Sequence, residues 1–250
     1  MSSEKSLAIV LRSVDFSETS SVVTLFTREF GKVRALAKGA RRAKGPFEAA
    51  LDLLSLCRIV FLRKSSDALD LLTEAKLERR FRPAGGALSN LYAAYYLAEL
   101  LSELTDDYDP HPDLFDAAEE TLSALRTEQA VDVLVLRFEL TALRLLGHLP
   151  SLEDCADCGV EVTLNGRVPF SQIRGGVLCA ACRVGKKQVI SVSAGVLRAL
   201  QLLAEEGESW RRLDIDKKTY GELRAVLNHY LAGLLGRQPR MHRYLAASAR

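Results

Sequence analysis

The sequence predicts a multidomain α+β chain: a small β-barrel first, then a helical bundle with a four-cysteine element inserted in it. Three observations lead there. Residues 1–80 contain five short β-rich runs separated by turn residues. After Pro83-Ala-Gly-Gly86 the apolar period changes from that of strands to that of helices. Two Cys-x2-Cys pairs then stand twenty residues apart. The expected units are residues 1–80, a helical domain over 81–150, the cysteine element at 151–185, and C-terminal helices over 186–250 packing on the helical domain.

The five runs are Leu7–Leu11, Ser20–Thr27, Gly31–Ala37, Cys57–Leu62 and Leu69–Thr73. Glu29-Phe-Gly-Lys32 reads as a hairpin turn, because Gly31 is free to take positive φ. In the third run Val33, Ala35 and Ala37 share one face, and Lys32, Arg34, Leu36 and Lys38 the other. Five short strands in this length suit a closed barrel of the OB-fold type. A helix from Leu88 to near Asp106-Asp107 follows, then helices over 113–127 and 130–147 with Asp113 as N-cap of the first and Gly147 ending the second. Amphipathic helices are expected at about 194–206 and 216–235.

Cys155-Ala-Asp-Cys158 and Cys179-Ala-Ala-Cys182 carry the most specific chemistry. A Cys-x2-Cys turn offers two thiolates to one ion, and two such turns complete the closed tetrahedral sulfur set of a structural zinc site. Gly159 eases the first turn, and Gly175-Gly176 lets the linker fold back as a hairpin. Iron–sulfur ligation and two disulfides are the competing readings. No secretory signal precedes the first strand, so a cytoplasmic, reducing address is expected, which favours metal over disulfide. His148 reads as a helix-terminal histidine rather than a fifth ligand, and Cys57, in an apolar run, as a buried inert thiol. A full sulfur set leaves no open coordination position, which argues against a zinc hydrolase. No phosphate-binding loop, dinucleotide motif or nucleophile elbow is present.

Charge is segregated along the chain. Residues 1–80 carry a net +5, residues 81–154 a net −10 and residues 155–250 a net +7. The N-terminal module concentrates Arg12, Arg28, Lys32, Arg34, Lys38, Arg41, Arg42 and Lys44, with Phe16, Phe26, Phe30 and Phe47 nearby. Cations follow phosphates and aromatic faces stack on bases, so this module suggests a polyanion partner, single-stranded nucleic acid in particular. A zinc-stabilised protein-interaction adaptor with no direct DNA contact is the alternative.

Ile9-Val-Leu-Arg12, Glu18-Thr19, Thr27-Arg-Glu-Phe-Gly-Lys32 and Ala37-Lys-Gly-Ala-Arg-Arg42 resemble the N-terminal signature of the RecO family of bacterial recombination mediators. Phe170-Ser-x-x-x-Gly-Gly176, followed by Cys179-x-x-Cys182, resembles its zinc-bearing portion. The resemblance implies a non-enzymatic role in DNA repair. Its members bind single- and double-stranded DNA, anneal complementary strands, and with RecR help load RecA on DNA coated by single-strand-binding protein (SSB). It implies DNA contact by Arg28, Lys32, Lys38, Arg41 and Arg42; local charge adds Arg34 and Lys44. An SSB acidic tail is expected on the helical region, where only a local patch around Arg126, Arg137 or Arg144 offsets the negative charge.

Overall fold

The computed structural model describes residues 2–42, 47, 50–64, 68–83, 86–127 and 130–248. The chain forms two compact units, residues 1–135 with 239–250, and residues 136–238.

In the first unit, β1 (Ser2–Asp15), β2 (Ser21–Thr27), β3 (Gly31–Ala37), β4 (Leu56–Arg63) and β5 (Asp70–Arg79) close a barrel in the order β1-β2-β3-β5-β4. β1 is long enough to serve two neighbours. Its second half pairs with β2 and its first half with β4, and the β1–β2 register shifts between Val10 and Arg12. Such a bulge turns a strand around a barrel corner. β3 meets β5 in parallel, Ala35 opposite Asp70 and Ala37 opposite Leu72. The alternation in β3 holds: Val33, Ala35 and Ala37 are buried, Lys32 is half-buried and Arg34 exposed. The interior contains Val10, Val23, Leu25, Phe47, Cys57, Ile59, Phe61 and Leu72. Burial pushes the Cys57 thiol up to about 12, leaving it protonated.

Helix α1 (Leu88–Leu104) buries Ala93, Ala94, Leu97, Leu100 and Leu101, a stripe at helical spacing. Its C-terminal carbonyls are met from the barrel. Lys32 Nζ donates to the carbonyls of Ser102 at 2.8 Å and Thr105 at 2.5 Å. The chain then runs along the end of β3, where Tyr108 N–H donates to the Lys32 carbonyl at 3.0 Å. The Tyr108 hydroxyl donates to Asp70, with Arg63 4.4 Å above its ring. Gly31, at φ +65°, permits this approach: a Cβ there would lie 2.0 Å from the Asp109 carbonyl oxygen. Helix α2 (Pro112–Ala124) begins one residue earlier than expected. Proline's fixed φ suits the first helical position, so His111 takes the N-cap position and Asp113 falls in the first turn.

Helix α3 (Val131–Leu145) ends before Gly147, which adopts φ +74°. In the second unit β6 (Arg167–Ser171), β7 (Gly176–Val177) and β8 (Val189–Ser193) form a three-stranded sheet in the order β7-β6-β8. Helix α4 (Ala194–Ala204) is capped by Ser193 Oγ, and α5 (Lys217–Leu235) by the Asp216 carboxylate, which accepts from Thr219 N–H at 2.7 Å. Glu139 on α3, fully buried, accepts from Arg224 of α5 at 2.6 Å.

A last helix, α6 (His242–Ser248), belongs to the first unit. The Glu99 carboxylate of α1 accepts from the backbone N–H groups of Arg240 and Met241 at 2.7 and 2.8 Å, and Tyr244 packs on Tyr92 with ring centroids 5.2 Å apart. The basic C-terminal segment thus docks on α1. No helix among the described residues is long and apolar enough to cross a membrane.

Candidate metal centre and nucleic-acid interface

The two cysteine turns are built by local backbone bonds. Gly159 N–H donates to the Cys155 carbonyl at 2.8 Å with Gly159 at φ +71°, and Arg183 N–H donates to the Cys179 carbonyl at 3.1 Å. The β6–β7 hairpin brings the turns together. Ala156 N–H donates to the Val177 carbonyl at 2.9 Å, two residues before Cys179. Gly176 passes so close to Ser151 that a Cβ would come within 2.7 Å of it.

The sulfurs of Cys155, Cys158, Cys179 and Cys182 all lie within 4.8 Å of one another. Those of Cys158 and Cys179 are 3.8 Å apart. A tetrahedron of sulfurs at ~2.3 Å from a central ion has edges of about 3.8 Å, whereas a disulfide needs sulfurs at ~2.05 Å. All four are free thiols. Burial opposes ionisation of Cys155, but backbone N–H groups of Cys179, Asp157 and Cys158 outweigh it and bring the thiol down to about 6. Hydrogen bonds to the Cys158 and Cys179 sulfurs push Cys182 up to about 12. A divalent cation at the centre of such a set favours the thiolate form of its ligands. Four closely set sulfurs can hold a metal ion, a set compatible with zinc. Asp157 anchors the outside of the module, pairing with Lys186 and with Arg174 at 3.1 Å, and Lys186 holds its carboxyl below the usual range. His148 is not among the gathered ligands.

The basic residues of the barrel are placed less uniformly. Lys32 turns to α1, its side chain 14% exposed. Arg28 forms a bidentate pair with Asp116 at 2.8 Å. Arg34 stands exposed on the outer sheet face but pairs with Asp107 at 2.9 Å. The strand register sets Arg12, Thr24 and Arg34 in one row across β1, β2 and β3. Arg41 pairs with Asp15 at 3.2 Å. Lys38 and Arg42 are exposed in the turn after β3. Lys44 lies outside the described residues. Phe26 and Phe47 are buried in the barrel, Phe30 packs edge-on against Phe61 at 5.5 Å, and Phe16 is exposed. Sequence reasoning therefore brought together two populations, cations that bind the chain itself and cations that face water. It also missed the carboxylates that divide them. Asp107 and Asp116 belong to the acidic segment that charge counting had set apart. Of the arginines considered for an acidic tail, Arg137 donates to the Leu203 carbonyl and Arg144 pairs with Glu206 at 2.8 Å.

Residues 1–81 match the family described as Recombination protein O N terminal, and residues 86–243 match Recombination protein O C terminal. Curated relatives named DNA repair protein RecO align over nearly the whole chain. The protein of Rhodopirellula baltica is 44% identical, covering 96% of this chain and 97% of its own length. That of Anaeromyxobacter dehalogenans is 37% identical, covering 96% and 95%. That of Myxococcus xanthus is 36% identical, covering 92% of each. With both halves matched in order and identity sustained from end to end, the chain belongs to the RecO family of DNA repair proteins.

Proposed function

We propose that the chain is a non-enzymatic recombination mediator. It binds single- and double-stranded DNA through its barrel, anneals complementary strands, and with RecR promotes RecA loading on SSB-coated DNA in the cytoplasm. The barrel acts as an OB-fold, whose outer strand face and adjoining loops take oligonucleotides. The observation that carries this reading is the exposed series Arg12, Arg34, Lys38 and Arg42 on the outer face and end of β1–β3. These side chains face water, where phosphates can reach them, and Arg41 stands beside them. Arg28 and Lys32 support the interface by holding α2 and α1 against the barrel. Cys155, Cys158, Cys179 and Cys182 hold a structural Zn2+, whose binding free energy becomes folding free energy of the module.

The experiment is a mobility shift with single-stranded and duplex DNA at two salt concentrations. Affinity should fall linearly in log[salt]. Charge reversal of Arg41 and Arg42 should weaken binding similarly across sequences, because phosphate contacts carry no base code. Absence of binding at low salt sinks the reading. It would favour the adaptor alternative, which draws on the internal pairing of Arg28, Lys32 and Arg41.

A further inference from the structure

Four phenylalanines accompany the basic residues of the barrel, and their surroundings separate them. Phe26 and Phe47 fill the interior, and Phe30 is half-buried against the barrel core and Phe61. Phe16 is 66% exposed and directly follows β1, at the base of the β1–β2 connection.

That connection is closed by hydrogen bonds. Phe16 N–H donates to the Ser20 carbonyl at 2.9 Å, and Ser20 N–H to Ser17 Oγ at 3.2 Å. The turn after β3 braces it from the side. Arg41 N–H donates to the Thr19 carbonyl at 3.2 Å, its guanidinium to the Ser17 carbonyl at 3.3 Å, and it pairs with Asp15. The braced turn fixes the backbone beneath the ring, so a partner that stacks on it has only the side chain left to order. The strand register places Asp15 opposite Ser21 and Ser21 opposite Ala37. Phe16 and Lys38, each one residue further along, therefore sit at the same end of the sheet, and Arg42 lies in the turn that follows Lys38. Beside the ring, Val14 is also exposed and Val22 and Leu36 are half-buried, so the face behind it is apolar.

We propose that Phe16 is a stacking platform for an unpaired base, selecting single-stranded over duplex nucleic acid, with the adjoining phosphates on Lys38 and Arg42. The assignment rests on the DNA-binding reading above and deepens it. A ring next to phosphate-binding cations supplies stacking that every base can use. Bases of a duplex already have both faces occupied and gain nothing from it.

The test is fluorescence anisotropy with a labelled oligothymidylate and with a labelled duplex of the same length, using the full chain. Phe16→Ala should weaken binding of the single strand by about 5- to 100-fold and of the duplex by less than about twofold. Phe16→Trp should keep single-strand affinity. Lys38→Glu with Arg42→Glu should weaken both ligands. Unchanged single-strand affinity in Phe16→Ala overturns the assignment, as does an equal loss on both ligands. If the charge-reversed variant loses DNA while Phe16→Ala keeps it, only the stacking role fails. If the unaltered chain binds neither ligand at low salt, the DNA reading fails and the stacking role with it.

Discussion

Replacing Lys32 by methionine separates a structural cation from a phosphate-binding one. Methionine keeps most of the aliphatic stem and removes the ammonium. Two hydrogen bonds are lost, to the carbonyls of Ser102 at 2.8 Å and Thr105 at 2.5 Å, together with an ion pair to Asp107 at 3.7 Å. Hydrogen bonds from a charged donor contribute about 1.5–3 kcal/mol each, and a cation at a helix C-terminus about 0.3–1 kcal/mol. The freed carbonyls recover part of this by hydration, so the net loss should be about 2–4 kcal/mol. That lowers the melting midpoint of the barrel unit by about 5–15 °C. Hydrogen exchange followed by mass spectrometry locates the effect. Amides in the last turn of α1 and in residues 105–109 should lose protection by about 30- to 800-fold, while peptides of the second unit keep theirs. DNA affinity, measured well below the new midpoint, should change less than about threefold. Unchanged protection around residues 101–109 combined with a large loss of DNA affinity would refute the reasoning and return Lys32 to the phosphate contacts.

Cys158→Ser should abolish stoichiometric zinc and lower the unfolding midpoint of the second unit. The chain's single tryptophan, Trp210, lies in that unit, so its fluorescence reports the change without contribution from the barrel. Full metal content and an unchanged midpoint would exclude the sulfur set as the site. Gly31→Ala should destabilise the barrel unit by about 2–5 kcal/mol, combining a left-handed backbone cost with a clash against the Asp109 carbonyl; a stability within about 0.5 kcal/mol of the parent in urea titration would contradict the close approach. Arg28 holds the Asp116 carboxyl below its ordinary 3.8. The folded state therefore binds that proton less readily than the unfolded chain. Its stabilisation is present above about pH 4 and is lost as pH falls through the lowered value. Asp116→Asn should flatten the acid limb of the stability curve below about pH 4, and an acid limb identical to the parent's would count against the pair.

The parts of the fold legible in the sequence are those whose cause is local. The β3 alternation depends on residues two apart, and the cysteine turns on residues three apart, so both could be read directly. The first five residues of β1 could not. Ser2-Ser-Glu-Lys-Ser6 has no apolar period, and it becomes strand because β4 supplies the ladder, Ser2 opposite Arg63 and Ser6 opposite Ile59. β5 runs to Arg79 for the same reason: Glu74, Lys76 and Glu78 look like loop residues, yet they form the outer face of a strand whose inner side buries Ala75. The functions of the basic residues were hidden by distance in sequence. Lys32 and Arg34 meet Asp107, and Arg28 meets Asp116, across seventy to ninety positions. Counting charges by segment treated as opposed regions what the fold brings into contact.

The Glu99 clamp on Arg240 and Met241 has a consequence for biosynthesis. The first unit is assembled from two separate stretches of the polypeptide, so it closes only after residues 136–238 have been synthesised. A nascent barrel unit must therefore persist without the Tyr92–Tyr244 contact and the Glu99 clamp while residues 136–238 are made.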